Sequence, residues 1–267
     1  MAYVKKPFEE LDVLDNFMFN RLTTDPEIRE KFCRRLLKSL LGKEVGKINI
    51  EAEKMIFPDR PENRGVRLDV KITETDNGEY ETGIYDIEPH KEVEKYYAKK
   101  NRHLQAQLDK NYMKSGNNDF SRMPDLFIIC ITNYDPFGFD QMVYTIKNTC
   151  EEEPELVYND GVKILYFNSV GKKGGTKNLR SFLKYIEDSK EENIVDDATE
   201  EIGNYVNQIK KDNRIEGDYM TVGEWIDGIV KEAVEEKDAE IATKDAKLAE
   251  KDAEIEELKK RLALAEA

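Results

Sequence analysis

The chain has 267 residues, of which 37% are charged, and its formal net charge is −14. This length supports one substantial core with an appendage. The acidic balance argues against a protein that coats nucleic acid non-specifically, but it does not exclude a nuclease, because many of the acids fall after residue 186.

The cysteine pattern and the lack of long apolar runs suggest where the protein works. Cys33, Cys130 and Cys150 have no disulfide-framework or zinc-ligand spacing, so we expect free thiols in a reducing compartment. The sequence shows no signal-peptide run at its N-terminus and no stretch of ~18 consecutive apolar residues. We therefore expect a cytoplasmic protein with no membrane partner.

Helical periodicity dominates the first part of the chain. Residues 8–41 predict two helices, and Gly42 ends the second. Asp15 precedes an aromatic pair; its carboxylate either caps a helix, which is the commoner role, or faces a site. Alternation over residues 48–57 then predicts a strand.

Residues 65–91 alternate like two strands of a hairpin. Asn77-Gly78 is the strongest short-range hairpin signal, since a type I′ turn needs φ > 0 at both central residues. If these two residues form the loop, Asp69 lies opposite Asp86 and Glu88 is its diagonal neighbour. One face is then apolar. The other face carries Arg67, Asp69, Lys71, Asp86, Glu88 and His90.

Three carboxylates on one face need a physical explanation, because like charges opposite each other destabilise a sheet. A bound Mg²⁺, Mn²⁺ or Ca²⁺ ion is one explanation, since these cations take oxygen ligands. The alternative is a solvated face on which Arg67, opposite Glu88, and Lys71 neutralise the acids.

A basic helix is predicted directly after the hairpin, over residues 91–114. Solvated charge is the ordinary interpretation of its lysines and arginines. Because the helix leaves the hairpin beside the carboxylates, contact with a phosphate backbone is the sharper alternative.

The remaining core elements complete an α/β arrangement. Residues 126–132 form a continuous apolar run typical of a central strand buried on both faces. Further strands are predicted over residues 142–146 and 162–167, and a helix over residues 178–186. We assign residues 1–187 to one domain and residues 188–220 to a polar, acidic connector.

The last segment, residues 221–267, predicts a charged helix with a heptad repeat that opens on a capping box at Thr221 and Glu224. A strong coiled coil needs two apolar positions per heptad. Here Ile241, Leu248, Ile255 and Leu262 mark one position, whereas lysines occupy most of the other. The segment is therefore either a weak coiled coil that joins copies into a homo-oligomer or a solvated helix.

An acid on one strand, an acid-x-polar triplet on the antiparallel neighbour and then a helix is the layout of the PD-(D/E)XK nuclease superfamily. The matching residues are Asp69 and Glu88-Pro89-His90. Over roughly residues 9–187 the chain resembles one branch, the bacterial nuclease-family transposases known as Rpn-type recombination-promoting nucleases. The segments that carry this resemblance are Asp15-Asn16-Phe17-Met18-Phe19, Tyr85-Asp86-Ile87-Glu88, Arg102-His103-Leu104-Gln105-Ala106-Gln107-Leu108-Asp109, Ile129-Cys130-Ile131-Thr132, Asp135-Pro136-Phe137-Gly138 and Tyr144-Thr145-Ile146-Lys147-Asn148.

The resemblance implies a restriction-endonuclease-like core, a mixed sheet flanked by helices, that cleaves DNA with Mg²⁺, or with Mn²⁺ or Ca²⁺ in its place. Asp69 and Glu88 would be metal ligands, with the carbonyl of Pro89 as a third. The candidate accessory acids are Asp15 and Asp86. Gln105 matches the family's helix glutamine, and the candidate DNA contacts are Arg102, Gln105, Lys95 and Lys99.

One departure from the family pattern leaves the function open. His90 stands where the family has lysine or glutamine. A histidine orients or deprotonates water near neutral pH, or it marks an eroded site. The alternatives to a working nuclease are a catalytically weakened fold that binds nucleic acid or protein as a regulatory module, and a structural assembly protein.

Overall fold

The computed structural model describes residues 6–56, 66–76, 80–93, 95–110 and 119–265. The chain forms two compact units, one spanning Lys6–Asp212 and the other containing the helix that begins at Asn213. The predicted Asn77-Gly78 turn lies outside the described residues.

A mixed sheet forms the centre of the first unit. Its strands are β1 (Lys47–Ala52), β4 (Val70–Asp76), β5 (Tyr80–His90), β6 (Asp125–Thr132), β7 (Val143–Ile146) and β8 (Val162–Asn168), with a separate pair β2 (Met55–Ile56) and β3 (Val66–Arg67). Within the described residues the order in the sheet is β1-β4-β5-β6-β8-β7. β1, β4 and β5 are antiparallel, β6 and β8 run parallel to β5, and β7 is antiparallel to β8.

Helices flank this sheet and have ends set by local chemistry. They are α1 (Asn16–Thr24), α2 (Arg29–Leu41), α3 (Tyr97–Asp109), α4 (Lys177–Glu187) and α5 (Asp197–Lys210). Gly42 ends α2 with φ 69°, a left-handed conformation that favours glycine. The side chains of Thr176 and Asp196 accept hydrogen bonds from the first turns of α4 and α5. The predicted α/β class, with a mixed sheet flanked by helices, is confirmed.

The predicted register of the β4–β5 hairpin is wrong by two residues. The structure pairs Lys71 with Asp86, not Asp69 with Asp86. Asp76 pairs with Tyr80, which leaves three residues between them where two were predicted, and a bulge beside Glu74 adds one further residue on β5.

Because side chains alternate along a strand, a register shift of two residues keeps every side chain on its predicted face. The predicted apolar face is confirmed, because Leu68, Val70, Ile72, Tyr85 and Ile87 are all buried. The opposite face of β5 is buried as well, since Asp86 is 0% and Glu88 5% exposed. The interpretation of this face as simply solvated is therefore wrong at these two residues.

The other strand and helix predictions hold with shifted ends. β6 is buried from Leu126 to Thr132, as predicted for a central strand. The strand predicted over residues 48–57 is interrupted at Glu53, whose φ of 52° separates β1 from β2. α3 covers only Tyr97–Asp109 of the helix predicted over residues 91–114, and residues 111–118 are outside the described part.

The first unit extends beyond the boundary predicted at residue 187. α5 buries Ile202, Val206 and Ile209, and it packs on α1, α2 and α4. Asp196 and Thr199 form a capping box at its start. Residues 188–212 are thus part of the first unit, although the sequence analysis assigned them to a connector.

The second unit contains one long helix, α6 (Asn213–Ala265). It begins before the predicted start, and the Thr221 hydroxyl donates to the Gly217 carbonyl at 3.0 Å, as inside a helix. The capping box predicted at Thr221 is therefore wrong. Ile241, Leu248 and Ile255 are 48–57% exposed, so this heptad position is uncovered in the single chain. Among the described residues, no helix combines the length and apolarity that crossing a membrane requires.

Truncation tests the boundary of the first unit. We expect a chain ending at Asp212 to unfold cooperatively on heating and a chain ending at Glu187 to lose that transition. Removing three buried aliphatic side chains of α5 lowers the free energy of unfolding by about 5 kcal/mol or more, which is comparable with the whole stability of a domain. Circular dichroism melting of both chains measures this, and equal melting of the two would contradict the assignment of α5 to the core.

Candidate functional site

A cleft of about 380 Å³ brings the main predicted site residues together. Asp69, Glu88, Pro89 and His90 line it from the hairpin. Lys100 lines it from α3, and α1 contributes residues that include Asn16 and Asn20. The cleft lies near the C-terminal end of β5, in line with the ends of the parallel strands β6 and β8.

Strand geometry places the acid-x-polar triplet. Glu88 and His90 are two residues apart on β5 and therefore point to the same face. Asp69 lies in the bend between β3 and β4, and its backbone N–H donates to Glu88 Oε1 at 3.2 Å. The predicted pairing of Asp69 with Asp86 is thus replaced by contact between Asp69 and Glu88.

Glu88 is a buried carboxyl group with one cation close to it. Burial and the charge of Asp69 raise the pKa of Glu88, and Lys100 opposes this rise. The Lys100 ammonium lies 3.4 Å from Glu88 Oε2. Arg67, predicted opposite Glu88, instead pairs with Glu53. The cation that pairs with Glu88 is therefore provided by α3, while the Arg67–Glu53 pair lines the same cleft.

Asp86 is the more unusual acid. It is completely buried, and neither side-chain oxygen has a hydrogen-bond partner in the described part of the chain. Burial and the charges of Glu88 and Asp69 raise its pKa well above the ordinary value, against smaller opposing effects of Lys100 and Lys71. Such an orphaned carboxyl group is costly. Asp86, predicted as an accessory acid, lies buried behind Glu88 on β5 and is not one of the described residues that line the cleft.

Asp69 is more accessible than the two acids of β5. The protein around its carboxyl group still raises its pKa through partial loss of hydration, with Lys100 and Arg67 acting in the opposite direction. A solvent-facing carboxylate therefore lies beside a buried one, and together they would offer an incoming ion two ligands at different depths.

His90 is half-buried, and its ring packs edge-on against Tyr97 with centroids 5.2 Å apart. Its Nε2 atom has no hydrogen-bond partner among the described residues. Burial and the charge of Lys100 lower the pKa of His90 to about 4. The imidazole is therefore neutral at pH 7, which makes it a weaker base than the sequence analysis expected.

Lys100 is a site residue that sequence reasoning did not single out. It was one lysine among several on a predicted basic helix, and nothing in its spacing fixed which of them faced the hairpin. Tyr97, Asn101, Leu104 and Leu108 form the buried face of α3. Lys100 borders that face, which is the signal that would have distinguished it from Lys99.

The other predicted contacts lie outside the cleft. The described residues that line it do not include Arg102, Gln105, Lys95 or Lys99. The side chains of Arg102, Lys95 and Lys99 are exposed. The Gln105 amide donates a hydrogen bond to the Asp109 carboxylate at 3.4 Å, one turn further along α3. Their role in DNA binding stays a prediction.

Asp15 does not line the cleft either. It occupies the N-cap position of α1, but its side chain makes no cap hydrogen bond. Its carboxylate pairs with Lys91 and Lys6 and accepts a hydrogen bond from the backbone N–H of Asp12. Asp15 thus ties the start of α1 to the end of β5, beside the site.

The donor set determines which metal the cleft suits. Within the described residues, no three His, Cys, Asp or Glu side chains form a ready metal cage. Asp69, Glu88 and the backbone at Pro89 offer oxygen ligands, and Mg²⁺ binds through one or two carboxylates while it keeps several waters. Asp69, Glu88 and Pro89 are therefore the residues that would hold a hydrated divalent cation.

No protein-family model matches the chain, and no curated protein matches it in a sequence search. The resemblance to PD-(D/E)XK nucleases therefore rests on the residues of the chain itself and stays a prediction.

The protonation state of His90 is directly measurable. Because its folded pKa of about 4 lies below the unfolded value near 6.5, the unfolded state takes up a proton first as pH falls. We expect the protein to lose stability relative to His90→Gln between pH 6.5 and about 4, and imidazole NMR signals to show His90 neutral at pH 6. His103→Gln is the matched control, since it removes the chain's other histidine. Titration of His90 at pH 6.5 or above would contradict the assignment.

Proposed function

We propose that this chain is a divalent-metal-dependent DNA endonuclease of the PD-(D/E)XK type, related to the Rpn-type recombination-promoting nucleases. The observation that carries the proposal is the convergence of Asp69, Glu88 and Lys100 in one cleft. Phosphodiester hydrolysis needs a metal-activated water and positive charge on the phosphate, and these side chains suit both requirements.

The order of the elements supports the proposal. Asp69 directly precedes β4, the triplet Glu88-Pro89-His90 ends the antiparallel neighbour β5, and α3 leads to the parallel strand β6. This is the order in which the superfamily arranges its acids, its triplet and the following helix.

The residues have separate roles in the proposed reaction. Asp69 and Glu88 would hold Mg²⁺, with the carbonyl of Pro89 as a third ligand, and Mn²⁺ or Ca²⁺ would serve as alternative probes. A bound ion would lower the pKa of a coordinated water and balance charge that develops on the phosphate. Lys100 donates hydrogen bonds to a phosphate oxygen, and neutral His90 accepts a hydrogen bond from the attacking water.

A second function is favoured by one observation. A histidine whose pKa is about 4 is a weak general base, so the cleft suits ion and nucleic-acid binding better than rapid proton transfer. A catalytically weakened fold that acts as a DNA- or protein-binding regulatory module is therefore the alternative. Divalent-ion binding without any strand cleavage would identify it.

Plasmid nicking tests the nuclease proposal. We expect the full chain to nick supercoiled plasmid with Mg²⁺ or Mn²⁺, and Asp69→Asn or Glu88→Gln to reduce the rate by about 100-fold or more, because each removes a proposed ligand. Lys100→Ala should also reduce the rate at saturating Mg²⁺, because it removes the ammonium group proposed to contact the phosphate.

The control for this experiment is Glu81→Gln, which changes an exposed acid at the other end of β5. Nicking by Glu81→Gln should equal that of the unchanged protein. If Asp69→Asn and Glu88→Gln nick as fast as the unchanged protein, the activity comes from elsewhere and the proposal fails.

We further propose that α6 joins copies of the chain into a homo-oligomer. Ile241→Lys with Leu248→Lys should convert the protein to a monomer by light scattering, because both apolar residues of successive heptads are lost. Lys244→Ile with Lys251→Ile should tighten association, since it fills the second heptad position. A mass unaffected by either pair of changes would contradict this proposal.

A further inference from the structure

Tyr96 is an exposed aromatic residue with two cations beside its ring. Its side chain is 58% exposed, and the ammonium groups of Lys95 and Lys99 lie 5.5 and 5.9 Å from the ring centroid. Proteins that bind single-stranded nucleic acid combine these two features: the ring stacks on a base, and the cations contact the backbone.

The start of α3 connects Tyr96 to the cleft. The Tyr96 carbonyl accepts hydrogen bonds from the backbone N–H groups of Lys99 and Lys100, both at 3.0 Å. Tyr96 is the N-cap residue of α3, and Lys100 follows it by about one helical turn, ~5.4 Å along the axis. A base on the Tyr96 ring and a phosphate beside Lys100 can therefore belong to neighbouring nucleotides.

We infer that the site takes single-stranded or locally unpaired DNA, with Tyr96 as the platform for one unpaired base. The inference rests on the proposed function and narrows its substrate class. In a duplex both faces of an internal base are covered by its neighbours, so a stacking platform selects unpaired bases. Lys95 and Lys99 hold the ring only weakly at this exposed position, and their flexible side chains turn to the phosphates when a base arrives.

Charge also favours this end of the sheet over the opposite one. Tyr80 is similarly exposed, at 55%, and has Arg122 5.2 Å from its ring centroid. It lies at the other end of the 11-residue strand β5, eight residues or about 26 Å of strand from Glu88, where Glu81 and Asp125 are its neighbours. Tyr80 is thus an equally exposed tyrosine with a cation beside its ring but away from the cleft, which makes it a suitable control.

Fluorescence anisotropy with the full chain in EDTA tests the inference, because binding is then measured without cleavage. The probes are labelled oligothymidine, the same strand in a duplex, and oligouridine. We expect Tyr96→Ala to weaken oligothymidine binding by about tenfold, Tyr96→Phe to preserve it, and Tyr80→Ala to leave it unchanged. Affinity for the duplex should change by less than about twofold in Tyr96→Ala.

Any of the following results would overturn the inference. Equal losses for Tyr80→Ala and Tyr96→Ala would indicate a general surface effect, and loss in Tyr96→Phe would exclude stacking. Equal losses for duplex and single strand, preference for oligouridine, or no oligothymidine binding would exclude the substrate class. Because these measurements need no metal, they test single-strand binding independently of the plasmid-nicking assay. A protein that nicks plasmid but is insensitive to Tyr96→Ala keeps the nuclease proposal and loses this one.

Discussion

The burial of two carboxyl groups on the central strand β5 is the constraint on which the rest of the site depends. Glu88 and Asp86 are almost completely removed from water, which costs several kcal/mol for each charge that is not compensated. Apolar residues of similar size would stabilise this sheet more. The protein instead keeps the two acids, places Lys100 against one and leaves the other without a hydrogen-bond partner among the described residues. Groups held in this way concentrate at functional sites.

Much of this arrangement follows from short-range patterns in the sequence. Alternation fixed which residues of β4 and β5 face the core, and it placed Asp69, Glu88 and His90 on the opposite face. The register of β4 and β5 could not be predicted in this way. It depends on one residue more than predicted between Asp76 and Tyr80 and on one further residue at the bulge. Both additions are local backbone choices that residue type specifies only weakly. Their even sum explains why the faces were right while the partners were wrong.

The rest required information about packing between distant segments. Lys100 reaches Glu88 only because α3 lies on the sheet at a particular rotation, which no local pattern determines. α5 is a different case, since Ile202, Val206 and Ile209 already have helical spacing. The acidic residues that precede them, Asp196, Asp197, Glu200 and Glu201, instead favoured the prediction of a polar connector. Periodicity alone could therefore have predicted that α5 has a buried side as well as an exposed one.

In the proposed nuclease, His90 has to be considered together with Lys100. The superfamily that the chain resembles has lysine or glutamine at the matching position of the strand, whereas this chain has histidine. Yet an ammonium group is present in the same cleft, supplied by α3 and 3.4 Å from Glu88. Burial and this ammonium group together lower the pKa of His90. In the proposed nuclease the positive charge that the family pattern has on the strand would therefore come from α3, and the same charge helps to keep His90 neutral.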